Sequence, residues 1–169
     1  MYDISSATDA DIDGIASLLQ ENSPSQGGSL TGEFPREKVA RMTLGDSPVV
    51  VARRGGNVVG VLFSSSKSSA SAPLSVQAML AAWPGDDDAY VYGPVCIADT
   101  ERGHGLLATL YAALQHHLPD REAILFIRAD NEASIRAHRR LGMHQVADFM
   151  FEGQSYLVFS DRPVRHAKK

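Results

Sequence analysis

The sequence of 169 residues contains a single cysteine, Cys96, and this scarcity excludes two kinds of structure. One thiol cannot form a disulfide within the chain, and it cannot supply the sulfur ligands of a multi-cysteine metal site. The sequence is therefore compatible with a reducing compartment.

Long apolar runs and an excess of positive charge are also lacking. No stretch approaches the roughly 18 to 20 apolar residues of a membrane span, and the first residues show no basic segment followed by an apolar run. The formal net charge is -4, and basic residues cluster only at 162–169, which we interpret as a solvated tail. These features predict a cytoplasmic protein that binds neither membranes nor nucleic acid.

The composition, with 44% hydrophobic and 21% charged residues, is typical of one ordinary globular domain, which we place at residues 1–161. A strand is predicted at residues 2–7, followed by a helix that starts at a capping-box-like Thr8-Asp9-Ala10-Asp11 and a second helix after Pro35. Two β-branched runs separated by Arg54-Gly55-Gly56 predict an antiparallel hairpin.

The second half of the chain alternates strands and helices. Residues 64–71 are rich in Ser, Lys and Ala, and with a short helix at 74–83 they are interpreted as a surface insertion. Residues 88–98 predict a strand in which Gly93-Pro94 implies a bulge or a bend. Further elements follow, namely a helix from Leu106, a strand at 123–128, a helix at 131–141 and a hairpin at 145–160.

Between the predicted strand and the helix from Leu106 lies Arg102-Gly103-His104-Gly105. Glycines allow a tight turn, and free N–H groups and the dipole at a helix N-terminus favour an anion, to which Arg102 could add a charged hydrogen bond. A plain strand-to-helix turn is the simpler alternative. Gly103-x-Gly105-x-x-Ala108, with Asp130 further on, also fits a dinucleotide fingerprint, but too few residues follow for that fold.

The same segment resembles the GNAT acetyltransferase superfamily, whose pattern is Arg/Gln-x-x-Gly-x-Gly/Ala after the fourth strand. Arg102 to Leu107 fit this pattern except at Leu107, where the family has a small residue. Residues 131–143, Asn-Glu-Ala-Ser-Ile-Arg-Ala-His-Arg-Arg-Leu-Gly-Met, are similar to a second family pattern in which Asn precedes a helix that carries a Tyr. The resemblance implies an α/β fold: a mixed, mostly antiparallel sheet of about seven strands with helices on both faces.

The resemblance also implies roles for individual residues. Acetyl-CoA would be held by the backbone of the fourth strand, by the glycine turn and by the start of the later helix. The predicted cofactor-binding residues are Val95, Cys96, Ile97, Arg102, Gly103, His104, Gly105, Leu106, Leu107, Asn131 and Ser134. His138 stands where the family has the Tyr that donates a proton to the CoA thiolate, so it is the predicted general acid. The alternative is that His138 is only a polar residue on an exposed helix face.

Three further residues have alternatives that the sequence leaves open. Tyr90 and Tyr92 share one strand face and could relay a proton from the acceptor amine, or they could simply pack as aromatic core residues. Cys96 lies in an apolar strand without a neighbouring base, so we interpret it as a core thiol and not as an acyl-carrying nucleophile.

The function that the resemblance implies is acetylation of a small-molecule or peptide amine from acetyl-CoA by direct attack and without a metal. The chain could form a homodimer. The alternative is an acyl-CoA-binding module without catalysis, since the family's tyrosine is replaced. Residues 64–83 are expected to border the acceptor pocket, because long connections tend to be functional or disordered.

Overall fold

A seven-stranded sheet forms the centre of the computed structural model, which describes residues 2–28, 30, 32–69 and 72–162. The strands are β1 Asp3–Ser6, β2 Val49–Arg54, β3 Asn57–Ser66, β4 Tyr90–Ile97, β5 Ala123–Arg128, β6 His144–Phe151 and β7 Gln154–Ser160. The helices are α1 Ile12–Glu21, α2 Arg36–Thr43, α3 Leu74–Ala82, α4 Leu106–His117 and α5 Glu132–Arg140.

The strand order in the sheet is β1-β2-β3-β4-β5-β7-β6. Strands β4 and β5 pair in parallel, whereas β1 with β2, β2 with β3, β5 with β7 and β6 with β7 pair antiparallel. The predicted α/β fold with a mixed, mostly antiparallel sheet is therefore confirmed. Strand β4 runs through the predicted irregularity, where the Gly93-Pro94 bond is cis and Gly93 has a φ of 108°.

The chain divides into two compact units. The first comprises Met1–Ser65 and Tyr92–Asp120, and the second comprises Ser66–Val91 and Arg121–Lys169. The prediction of one domain over residues 1–161 stays a prediction. Of the predicted basic tail at 162–169, only Arg162 belongs to the described residues, and its Nε lies 2.8 Å from Asp86 Oδ2.

In the first unit, helices cover both faces of the strands. Apolar side chains of α1 and α2 pack on alternate residues of β2 and β3, together with Cys96 of β4. On the opposite face α4 lies close to β3. A Cβ at Gly60 would come within 3.2 Å of Leu110 Cδ1 and 3.3 Å of Leu106 Cδ2. Glycine at position 60 therefore allows this close approach of helix and sheet.

In the second unit, α3 belongs to the core, so the interpretation of residues 64–83 as a surface insertion is wrong for the end of β3 and for α3, while residues 70 and 71 of that range lie outside the described residues. Met79 is fully buried against Val91, Ile124 and Val158, and Ser64 to Ser66 continue β3. The sequence did not predict the burial of Met79 or the continuation of β3, because a serine-rich composition is typical of a loop. The next residue of β7, Phe159, points to the other face, where Arg139 of α5 lies 5.9 Å from its ring centroid.

In the described part of the chain, no helix is long and apolar enough to cross a membrane.

Candidate functional site

The turn between β4 and α4 has the geometry that the glycine motif predicts. A short 3-10 turn, Asp99–Glu101, leads to Arg102 in an extended conformation, and Gly103 and Gly105 follow with φ values of 81° and 76°. Residues with a Cβ rarely adopt such values. An added Cβ at either glycine would meet no described atom within 4 Å, so the turn is open on that side.

Gly105 is also the N-cap of α4, which begins at Leu106. A glycine has no side chain that could accept a hydrogen bond from the first N–H groups of the helix, as a serine or aspartate at this position would. These groups and the positive end of the helix dipole are therefore available to an anion. Leu106 is buried, Leu107 is half-buried and His104 is exposed.

The Arg102 side chain is held by three parts of the first unit. Its Nε donates to Ile97 O at 3.2 Å, its Nη2 donates to Asn22 Oδ1 at 3.0 Å, and its Nη1 lies 2.8 Å from Asp99 Oδ1. The guanidinium thus joins the end of β4, the 3-10 turn and the end of α1. The sequence did not predict this structural role, because its glycine motif indicated only a contact between Arg102 and the anion.

Glu101 anchors the same turn from its buried side. Its carboxylate accepts hydrogen bonds from Tyr2 Oη at 2.6 Å and from Arg54 Nη1 at 3.0 Å, although the residue is only 5% exposed. The hydrogen bonds from Tyr2 and Arg54 hold the pKa of Glu101 below its usual range. The carboxylate therefore stays charged and ties the turn to the residue before β1 and to the end of β2.

Strand β4 carries three of the predicted cofactor-binding residues, and their side chains are buried or half-buried. Val95 and Ile97 are half-buried, and Cys96 is 5% exposed with its Sγ 3.9 Å from Leu18 O. Burial raises the pKa of Cys96 to about 12, so the thiol is neutral at physiological pH and a poor nucleophile. This agrees with the interpretation of Cys96 as a core thiol.

The two candidate tyrosines are both buried. Tyr92 packs edge-to-face on Tyr111 of α4, with ring centroids 6.0 Å apart. Tyr90 opens β4, its Oη has no hydrogen-bond partner among the described residues, and burial raises the pKa of its hydroxyl. Packing therefore accounts for both rings, while their predicted part in proton transfer stays a prediction.

Helix α5 orders the predicted residues of the second unit. Asn131 is its N-cap, with Oδ1 accepting from Ser134 N at 3.2 Å. His138 is 3% exposed, and its Nδ1 lies 2.8 Å from Ser134 O. Because a carbonyl oxygen only accepts, this contact places a hydrogen on Nδ1. The sequence also allowed His138 to be a polar residue on an exposed helix face, and that alternative is wrong.

Burial lowers the pKa of His138, more than the hydrogen bond to Ser134 O raises it. A buried histidine in this position is therefore protonated to a smaller extent at neutral pH than its ordinary pKa of about 6.5 implies. Sequence reasoning did not anticipate this shift, because it depends on how α5 packs.

The fold and the open turn together define an α/β protein in which a glycine turn precedes the N-terminus of α4. The model of the acetyltransferase (GNAT) family matches residues 15–143. The chain belongs to this family.

Solved structures of low sequence identity share the fold. A GNAT-family acetyltransferase from Streptococcus agalactiae has a TM-score of 0.74 at 16% identity, over 97% of this chain and 96% of the other. YncA from Salmonella typhimurium, solved with acetyl-CoA, has 0.69 at 19%, over 100% and 98%. A ribosomal-protein-alanine N-acetyltransferase from Brucella melitensis has 0.67 at 22%, over 93% and 97%. A comparison with curated protein sequences finds no match.

Proposed function

We propose that the protein transfers an acetyl group from acetyl-CoA to the amine of a small molecule or a peptide by direct attack. The observation that carries this proposal is the turn at residues 102–105 of a GNAT-family chain, with positive φ at both glycines and open space beside them. The position of this turn at the start of α4 suits a pyrophosphate, the anionic part of CoA.

Acetyl-CoA supplies the acyl thioester, and the residues present fit its parts. The N–H groups at the start of α4 and the turn from Arg102 to Gly105 would hold the pyrophosphate. The backbone of Val95 to Ile97 would hold the pantetheine arm and offer a donor to the thioester carbonyl, which develops negative charge during transfer. Asn131 and Ser134, which order the first turn of α5, would border the cofactor.

Direct attack by the acceptor is favoured because the only cysteine is poorly suited to carry an acyl group. Cys96 is buried, and its pKa of about 12 leaves almost no thiolate at neutral pH. The acceptor amine must itself be neutral to attack, so a nearby base or water would take its proton. Tyr92 and Tyr90 remain the proposed relay for that proton.

His138 is the proposed donor of a proton to the departing thiolate. With a hydrogen already on Nδ1, the ring gains its acidic proton at Nε2 when it becomes cationic. The lowered pKa makes the cation scarcer but also a stronger acid, and these two effects oppose each other in general acid catalysis. The rate should therefore depend on pH below about 6.5 more strongly than a tyrosine donor would make it.

The acceptor class rests on the family and not on a contact in this chain. One structural neighbour is named a ribosomal-protein-alanine N-acetyltransferase, and another, from Arabidopsis thaliana, was solved with a bisubstrate analogue. Both share the fold at 22% identity or less, so we retain peptide and small-molecule amines alike. Location in the cytoplasm and assembly as a homodimer stay predictions.

A module that binds acyl-CoA without catalysis is the second candidate. The observation in its favour is His138, which replaces the tyrosine of the family pattern and whose pKa is lowered by burial. In that case the turn would bind CoA, but no amine would be acetylated.

A panel of amines and N-terminal peptides tests both candidates. Release of CoA thiol that depends on one acceptor, together with CoA binding in calorimetry, is expected for the acetyltransferase. CoA binding without thiol release across the panel would favour the binding module. Binding of NAD in preference to CoA would instead revive the dinucleotide interpretation.

A further inference from the structure

Asn22 lies at the end of α1 and uses each of its polar groups. Its Nδ2 donates to Leu18 O at 3.0 Å, and its backbone N–H donates to Leu19 O at 3.1 Å. Its backbone carbonyl accepts from Leu30 N at 3.2 Å, where the chain returns after the loop. Its side-chain oxygen, Oδ1, accepts a hydrogen bond from Arg102 Nη2 at 3.0 Å. With 9% exposure, this amide is held in place by the helix end.

The three contacts of the Arg102 guanidinium differ in strength. Its ion pair with Asp99 is solvated, since the two side chains are 53% and 81% exposed, and exposed ion pairs contribute little. Its bond to Ile97 O stays within the same short segment of chain. The bond to Asn22 is different, because it joins the turn to a buried group that is 80 positions away.

We propose that Asn22 is a positioning residue for the anion-binding turn, acting through the Arg102 side chain. The inference rests on the proposed function, because it assumes that the turn binds CoA. An arginine side chain has many rotamers, and fixing it before the ligand arrives reduces the entropy lost on binding. The fixed side chain also holds Arg102 extended, which is the conformation from which the turn through Gly103 begins.

The test is a double-mutant cycle on CoA affinity, measured by calorimetry, with Asn22→Ala and Arg102→Met. If Asn22 acts through Arg102, then Asn22→Ala should weaken CoA binding about tenfold in the wild-type background and less than about twofold in the Arg102→Met background. In the kinetic assay, KM for acetyl-CoA should rise while kcat changes little.

Ser23→Ala is the matched control. Ser23 is buried at the same helix end and donates to Gln20 O at 2.9 Å, and its described contacts do not include Arg102. The Ser23→Ala substitution should lower Tm about as much as Asn22→Ala and leave CoA affinity unchanged. If Asn22→Ala does not fold, Asn22→Ser, which also removes the amide, takes its place in the cycle.

Equal weakening by Asn22→Ala in both backgrounds would overturn the inference, and so would an equal loss of affinity in Ser23→Ala. Failure of the unchanged protein to bind CoA is a different result. It would overturn the proposed function, and this inference would fall with it.

Discussion

The turn at residues 102–105 and helix α5 carry the two motifs of the family, but they are built in different ways. In the turn, Gly103 and Gly105 have positive φ values, and the donors that they position are main-chain groups. In α5, two of the predicted site residues make polar contacts within the helix: Asn131 accepts from Ser134 N, and His138 Nδ1 contacts Ser134 O. The groups proposed to bind the anion at the turn belong to the main chain, although side chains hold the turn in place, whereas the proposed role of α5 belongs to its side chains.

This difference decides how each region tolerates a change in sequence. A backbone site depends on φ and on space, so the departure from the family pattern at Leu107 leaves the geometry of the two glycines in place. A side-chain site depends on burial and hydrogen bonding, so a histidine in place of a tyrosine changes both the proposed acid and its pKa. Substitutions in the two regions should therefore fail in different assays.

The largest effect is expected for Gly105→Glu, which should abolish detectable CoA binding. The new side chain would place a carboxylate at the start of α4, where the pyrophosphate is proposed to bind. The non-glycine residue at a φ of 76° should also cost about 1–2 kcal/mol of stability. Calorimetric titration with CoA measures the loss of binding.

Gly56→Glu separates these two contributions. Gly56 has a φ of 82° in the turn between β2 and β3, and a Cβ there would also meet no described atom within 4 Å. The backbone cost should be the same, so Tm should fall equally, but CoA should still bind. A folded Gly105→Glu protein with unchanged CoA affinity would remove the anion-binding assignment from the turn.

The next effect is expected for His138→Phe, which should lower kcat on the order of 10²-fold and leave CoA affinity nearly unchanged. Phenylalanine fills the buried position but cannot donate a proton. His138→Tyr should recover part of the rate, because a phenol can donate. Thiol release under conditions where acyl transfer is rate-limiting measures both, and a kcat of His138→Phe within about threefold of the wild type would contradict the assignment.

The pH dependence of His138 gives an independent readout. Its folded pKa is lowered, so between that value and about 6.5 the unfolded chain binds more protons than the folded protein. Stability should therefore fall as the pH falls through about 6.5. His138→Phe should lack this loss of stability, and a protein with the control substitution His116→Phe, at an exposed position, should retain it.

The rate gives a second pH readout. If His138 is the acid, the ratio of wild-type kcat to that of His138→Phe should rise as the pH falls. A ratio that falls would show that His138 acts as the neutral imidazole.

A smaller effect is expected for Glu101→Gln, which keeps the size of the side chain and removes its charge. The hydrogen bonds from Tyr2 and Arg54 should weaken, so the turn should be less firmly held and KM for acetyl-CoA should rise about threefold to fivefold. Asp13→Asn is the control, because it also removes one carboxylate charge but from an exposed ion pair with Arg36, and it should leave KM unchanged. Equal KM values for Glu101→Gln and the wild type would show that the turn needs no anchor.

Local patterns were enough to predict most of the helices and strands, whereas the mixed sheet was predicted from the family resemblance. The hairpin of β2 and β3 follows from β-branched runs around Arg54-Gly55-Gly56, and α1 begins after the predicted capping box of Thr8 and Asp11. Helix α3 was misinterpreted, because a serine-rich stretch precedes it and its buried residue, Met79, contacts β5 and β7 only in the folded chain. Tertiary packing, which the local pattern does not contain, made it a core element.

The candidate site was predictable to the extent that it is local. The glycine turn lies within one short segment, whereas its supports come from far away in sequence: Tyr2 is 99 positions from Glu101, and Asn22 is 80 positions from Arg102. The burial of His138, which lowers its pKa, likewise follows from packing. Contacts of this kind leave no periodicity or motif in one sequence.

The smallest effect is expected for Cys96→Ala, although Cys96 lies in the strand proposed to hold the pantetheine. The proposed role of β4 belongs to its backbone, and the thiol itself is buried, with a pKa raised to about 12. Removing it should therefore change kcat less than about threefold, while the lost packing lowers stability by about 1 kcal/mol. Mass spectrometry of the wild-type protein during turnover should find no acetyl group on Cys96. A covalent acetyl-enzyme, or a loss of kcat comparable to that of His138→Phe, would replace direct attack with a two-step mechanism and make β4 a side-chain site like α5.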